Sequence, residues 1–325
     1  MTTSPSNSLR PVDSAHRGIP DEPRILLIML GLIGDTLMRI PVARAIRNTW
    51  PDAHIAAVCE PLTAPILAHN PLFDEVQIFD RRGLSYIQQA QFYWNLGRAR
   101  HDVVIDLYHG ARTPLMAWCT GAPRRVGLSG GRLNRWLFTD VVQGPLPAVH
   151  MVDRMLVMLE PLGIRSFDRV WEYPVATEVH ESLHAKLAGA GIQPATRPGD
   201  IVFALGAGCE TKRWDDEYVA HALRRVAAGE LGEGRRLLVI ADQRDPRLSD
   251  RWRANAGVEF LPPLSLLEIG ALFGETDLVF VPDTGLMHVA LGTARRLLTF
   301  FQSTDRNLHV ADRGAYRALY HEVCP

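Results

Sequence analysis

At 325 residues with 47% hydrophobic content, the chain is long enough to fill two cores rather than one. Its 35 basic residues stand against 36 acidic ones, and in the formal charge of -1 nothing suggests a nucleic-acid groove or an anionic-membrane footprint, so a charged ligand has to be met locally. Cys59, Cys119, Cys209 and Cys324 form no C-x-x-C pair, which argues against a zinc site or disulfide framework and for free thiols in a reducing cytoplasm.

The first 23 residues, MTTSPSNSLRPVDSAHRGIPDEP, are rich in Ser and Pro and hold no apolar run; they are predicted to be a mobile tail, neither signal peptide nor anchor. No apolar stretch reaches the roughly 20 residues that cross a bilayer, which leaves at most peripheral membrane contact. From Arg24 a rhythm of strand and helix begins. RILLIML, residues 24–30, is a buried strand by its unbroken aliphatic content, and GDTLMRIPVARAIRNTW places Leu37, Ile40, Val42, Ala45 and Ile46 near helical spacing. HIAAVC, EVQIFD and DVVIDLYHG repeat the strand signal between polar or amphipathic connectors, the pattern of right-handed βαβ units. A doubly wound α/β domain over residues 24–173 follows.

Pro174 closes that half. A charged helix over residues 178–190 and the loop GIQPATRPGD lead into a second series. IVFALGAG, RRLLVIAD, VEFLPP, DLVFVPD and RRLLTFFQSTD are predicted strands, with helices over 215–228, 247–256, 265–273 and 285–294. Residues 174–325 therefore repeat the first architecture. Two such sheets in tandem leave a cleft, and ligands of open α/β sheets sit outside the carboxyl ends of the strands.

Three strand ends carry unusual residues. In GLIGDTL, Gly34 and Asp35 lie where the first strand turns into its helix; capping alone would account for the aspartate. The turn lacks the full G-x-G-x-x-G dinucleotide fingerprint, which speaks against a nicotinamide cofactor. In GAGCETKRWDDE, glycines including Gly206 and Gly208 allow close backbone approach, and Lys212 is one of only two lysines in the chain, the other being Lys186. In VFVPDTGLMHVA, Asp283, Thr284 and Gly285 sit between a strand and the helix carrying His288. Exposed amides at that helix start suit a phosphate, and Lys212 would add a mobile positive charge.

Taken together, ILLIMLGLIGDTLMRIPVARAIRNTWPDAHI, DVVIDLYHGARTPLMAWCTGAPRRVGL, GAGCETKRWDDE and FVPDTGLMHVA, with NPLFDEV and STD, resemble the lipopolysaccharide heptosyltransferase family. These are inverting glycosyltransferases of GT-B fold, two Rossmann-like domains facing each other across a cleft. The resemblance runs from about Arg24 almost to the end. It implies that Asp35 takes the proton from an acceptor hydroxyl, that Lys212 neutralises the departing diphosphate, and that Thr284 and Gly285 form the phosphate-holding turn. Asp283 and His288 then serve donor binding beside Gly206 and Gly208, while Gly34 and Arg112 fall on the acceptor side. Asp245, in ADQRDPR, is either a ribose partner or an exposed acid at a helix start. The implied donor is a sugar on a nucleotide diphosphate such as ADP-heptose, and the acceptor a hydroxyl of a glycan or small molecule. No metal, other cofactor or nucleic-acid partner is implied, and the location is cytoplasmic.

The departures bear on the acceptor. The family's basic residue five to six positions before the G-D pair is here Met29, its small hydroxyl residue is Gly31, and its Gln-Gly after the fourth strand is Tyr108-His109. Arg112 is left as the nearest candidate for an acceptor anion, with a plain surface arginine as the other reading. The Gly-Thr-Pro turn becomes Ala294-Arg295-Arg296, and the chain stops at HEVCP where relatives continue through a segment packing on the first domain. A transferase for a different sugar nucleotide in natural-product synthesis, and a sugar-nucleotide-binding scaffold without turnover, share the same residues.

Overall fold

The central strands are the buried, aliphatic runs that the sequence marks out, and the strands of both sheets pair in parallel. The computed structural model describes residues 18–130, 134–144, 150–193, 199–206, 212, 216–230, 235–240, 258–301 and 316–320. The first sheet contains β1 (Arg24–Ile28), β2 (His54–Cys59), β3 (Glu75–Ile78), β4 (Val103–Asp106), β5 (Arg124–Leu128) and β6 (Asp140–Val142) in the order β3-β2-β1-β4-β5-β6. The second contains β7 (Ile201–Ala204), β8 (Leu237–Ile240), β9 (Val258–Phe260), β10 (Leu278–Pro282), β11 (Leu297–Phe301) and β12 (Tyr316–Tyr320) in the order β12-β11-β10-β7-β8-β9. Read from its own first strand, each sheet has the same winding. The two-lobed α/β architecture expected from the sequence is thus present.

The helices of the first lobe are α1 (Ile33–Thr49), α2 (Ala64–Ala68), α3 (Tyr86–Arg98), α4 (Thr113–Cys119), α5 (Asn134–Leu137) and α6 (Met151–Leu156), which runs into a 3-10 turn at Val157–Leu162. Beyond it lie α7 (Thr177–Gly189), α8 (Asp216–Ala227), α9 (Leu266–Glu275) and α10 (Gly285–Thr293). The expected helix over 247–256 lies outside the described residues. Both α3 and α9 start on a reciprocal cap: Ser85 pairs with Gln88 and Ser265 with Glu268.

Packing divides unequally across the sheets. One large apolar cluster joins α1 and α6 of the first lobe to α9 and α10 of the second, so the lobes share a core on their facing sides. A smaller cluster lies under α3, α4 and α5 on the outer side of the first sheet. The segment between lobes is pinned at both ends. Arg44 on α1 ion-pairs with Asp168 at 2.9 Å and donates to the Val170 carbonyl. Trp171 Nε1 donates to the His288 carbonyl at 3.0 Å, and Tyr173 Oη donates to the Leu266 carbonyl at 2.7 Å. Gly270 leaves the space that the Tyr173 ring occupies, since a Cβ there would lie 2.3 Å from the ring.

Candidate active site

In each sheet the chain order reverses direction between two adjacent central strands, β1 and β4 in the first and β7 and β10 in the second. Crevices at the carboxyl ends of such strand pairs are where open α/β sheets hold ligands. Those four ends deliver residues 29–35, 106–109, 205–206 and 283–288, which include most of the positions singled out in the sequence.

The starts of α1 and α10 meet face to face. A Cβ on Gly34 would lie 2.6 Å from His288 Cδ2, and one on Gly285 would lie 2.9 Å from Ile33 Cβ. Glycine at both positions is what lets the helix starts approach this closely. The positive ends of two helix dipoles then converge on one region, which suits an anion. Asp35 stands in the first turn of α1, where its Oδ2 accepts the Leu32 amide at 3.2 Å. The capping interaction weighed in the sequence is therefore made. Across from it, Thr284 holds the N-cap position of α10 in extended conformation, but its hydroxyl does not cap. Thr284 Oγ1 is buried and has no hydrogen-bond partner among the described residues. A buried hydroxyl left this way carries a desolvation cost that an incoming acceptor atom would relieve.

Lys212 reaches the same turn. Its Nζ donates to Asp283 Oδ2 at 2.7 Å, and the Asp283 side chain is 7% exposed against 31% for Lys212. His288 is buried, with the Trp171 ring centroid 5.9 Å from its own. Gly206 lies just past the end of β7, while Gly208 and Asp245 fall outside the described residues.

Behind Asp35 the structure places a cation that the sequence reading did not single out. Arg39, one helical turn on, is buried, and its Nη1 donates to the Leu30 carbonyl just past the end of β1. Gly31 has φ +123°, and a Cβ there would come within 3.2 Å of Asp35 Oδ2 and 3.4 Å of Arg39 Nη1. Burial lowers the pKa of this guanidinium, and the charges of Asp35 and Asp106 oppose that shift. Asp106 ends β4 with its carboxylate buried, accepting the Tyr108 and His109 amides and, at 2.6 Å, the Thr113 hydroxyl. Burial raises its pKa against those bonds and the Arg39 charge. Met29, where the family resemblance led to an expected basic residue, is fully buried. The available signal was the four-residue spacing of Asp35 and Arg39 within an apolar helix. His109, at φ 57°, is held at a pKa of about 4, first by burial and then by Arg39.

Arg112 is exposed at the rim of a pocket of about 530 Å³ on the outer side of the first lobe. Arg81, Arg82, Tyr86, Tyr93 and Tyr108 line it with Arg112, and among the described residues no carboxylate does.

Comparisons with known proteins bear on the family and the fold. The family model described as glycosyltransferase family 9 (heptosyltransferase) matches residues 90–314. Lipopolysaccharide heptosyltransferase 3 of Escherichia coli (strain K12) is 23% identical over 284 residues, which cover 84% of this chain and 80% of that protein. Lipopolysaccharide heptosyltransferase 2 of the same strain is 24% identical over 311 residues, covering 86% and 82%. The crystal structure of a family 9 glycosyl transferase from Veillonella parvula DSM 2008 superposes with a TM-score of 0.81 at 20% identity, over 94% of this chain and 88% of that one. That of the E. coli ADP-heptose lps heptosyltransferase II superposes at 0.76 and 19% identity, over 92% of each chain, and shows the same two-lobed fold. With the family model spanning more than half of its length, the chain belongs to glycosyltransferase family 9, the heptosyltransferase family, and is a glycosyltransferase.

Proposed function

We propose that the enzyme transfers heptose from ADP-heptose to a hydroxyl group, with inversion at the anomeric carbon. The observation that supports this reading is the opposition of the two helix starts, with Gly34 against His288 and Gly285 against Ile33, which brings the first turn of α1, carrying Asp35, close to the start of α10. In the proposed step the acceptor oxygen attacks the anomeric carbon while Asp35 takes its proton. The bond from that carbon to the diphosphate oxygen breaks, and its electron pair leaves with ADP. Lys212, the first amides of α10 and Thr284 Oγ1 meet the growing phosphate charge. Asp283 holds Lys212 beside the turn, so the cation is positioned before the diphosphate arrives. The ADP-heptose donor is argued from the relative whose name includes it, together with Lys212 and the helix start at Thr284, which suit a phosphate.

On the acceptor side, a pocket bordered by Arg81, Arg82 and Arg112 and, among the described residues, by no carboxylate favours an acceptor that carries negative charge, whether a glycan or a smaller molecule. Substitution of Asp35 by Ala is expected to leave ADP-heptose binding intact while slowing transfer about a hundredfold or more. Transfer at the original rate would remove Asp35 from its role. Donor binding by the unaltered protein with no transfer to any acceptor in an anionic panel would favour the scaffold reading instead.

A further inference from the structure

The overall charge of -1 conceals a segregated surface. Between residues 81 and 139 the sequence holds nine arginines and only two carboxylates, Asp102 and Asp106. Both carboxylates are engaged inside the fold: Asp102 accepts the Arg24 amide at 2.8 Å, and Asp106 is buried among its own donors. This stretch supplies α3, α4 and α5, the layer that covers the outer face of the first sheet. Arg81, Arg82, Arg98, Arg100, Arg112 and Arg135 are exposed on it, and none forms an ion pair with another described residue.

The same layer exposes aromatic rings that a water-facing helix has no reason to carry. Trp94 on α3 is 69% exposed, Trp118 on α4 53% and Trp136 on α5 82%; these are the exposed tryptophans among the described residues. Tyr86 and Ile87 at the start of α3 and Leu115 on α4 extend the apolar surface. A shallow groove of about 480 Å³ runs between Trp94 and Trp118, where Gly97 brings α3 against the Cys119 carbonyl.

We infer that the α3–α4–α5 face docks the enzyme on an anionic lipid bilayer. Tryptophan and tyrosine favour the headgroup level, where the ring is buried and its polar edge stays wet, and arginines around them meet lipid phosphates. A second copy of the chain fits poorly. A symmetric contact would set these arginines against themselves, with no exposed carboxylate of the same layer to meet them. A bilayer supplies both the negative charge and the apolar depth. The acceptor-side pocket opens onto this layer through Tyr86 and Tyr93, so a membrane-anchored acceptor would be presented at its mouth. The docking claim itself does not depend on which sugar is transferred.

The test is sedimentation of the full chain with sucrose-loaded vesicles. The protein is expected to pellet with phosphatidylglycerol and phosphatidylethanolamine vesicles at low salt, to be released at high salt, and to stay in solution with phosphatidylcholine alone. Its tryptophan emission should shift to the blue on binding. Combined Trp94→Ser, Trp118→Ser and Trp136→Ser changes should weaken pelleting about tenfold or more, with melting temperature and ADP-heptose binding unchanged. The pair Arg98→Glu and Arg135→Glu should abolish the preference for anionic lipid. Failure of the unaltered chain to pellet, or equal pelleting of the triple variant, would overturn the inference. So would a dimer in sedimentation velocity that the triple variant dissociates, since the face would then belong to a second copy.

Discussion

Gly34 and His288 belong to different lobes and are in contact: a side chain on Gly34 would place its first carbon 2.6 Å from His288 Cδ2 and 2.9 Å from Nε2. The fit fixes how near Asp35 comes to the α10 turn. Gly34→Ala is expected to force the helix starts apart, because the nearest atoms belong to a buried ring whose own carbonyl is held by Trp171. A loss of about 1–3 kcal/mol in stability is expected from overpacking. Transfer should fall about a hundredfold, since a displacement of this size between reacting groups is enough for that. Thermal melts and steady-state rates on one preparation check both, and a fully active, fully stable alanine variant would contradict the contact.

The Lys212–Asp283 pair separates a structural role from a ligand role. Removing the ammonium with Lys212→Ala leaves the Asp283 carboxylate, 7% exposed, without that partner, at an expected cost of about 1–3 kcal/mol. Asp283→Asn removes that difficulty. If the lysine serves only the aspartate, Lys212→Ala is silent in the Asp283→Asn background. If it meets the diphosphate, donor affinity drops in both backgrounds, which calorimetry with ADP will resolve.

Arg39 and Asp106 are two buried charges that depend on each other. Arg39→Leu is expected to destabilise the fold by about 3–5 kcal/mol, because Asp106 keeps its burial and loses a nearby cation. Adding Asp106→Asn should recover part of the loss. Urea denaturation of the single and double variants measures the coupling, and strictly additive effects would mean the two do not interact.

Central strands were legible in the sequence because burial on both faces leaves no option but continuous aliphatic runs, as in RILLI, HIAAVC and LVFVP. The strands not foreseen, β5, β6 and β12, are RRVGL, DVV and YRALY: short, and led or interrupted by charge, they lie toward the sheet edges. The β1 strand was expected to reach Leu30 and ends at Ile28, where the chain begins its turn into α1. Asp35, Thr284 and Lys212 stood out because each follows a strand in a turn with glycine. Arg39 did not, since an arginine amid apolar residues reads as one snorkelling to solvent, and only the fold shows that it points inward. The cationic aromatic layer was hidden for another reason. A net charge sums over the chain, whereas a surface is set by which helices lie side by side.

Two histidines, His101 buried and His109 partly so, should make the protein acid-sensitive above the ordinary carboxylate range. His101 and His109 are each shifted from 6.5 to about 4, in both cases first by burial, then by the nearby charges of Arg24 and Arg39 respectively. None of their four ring nitrogens has a hydrogen-bond partner among the described residues, so little holds a proton in the folded state. The unfolded chain takes up protons as pH falls through 6.5, while the folded protein does not until about 4. The associated stability is therefore complete above 6.5 and is lost as pH falls through that interval, by up to roughly 3 kcal/mol per histidine. Glu268 acts in a lower window. Held to about 2 by Lys186, the Ser265 amide and the Ser182 hydroxyl against burial, it contributes above its ordinary value of 4.5 and loses that contribution only below it. Denaturation free energies measured across pH 7 to 4.5 should thus fall steeply in the unaltered protein. His101→Leu with His109→Leu should flatten that slope while leaving the Glu268 region unchanged; an unaltered slope would place the titrating groups elsewhere.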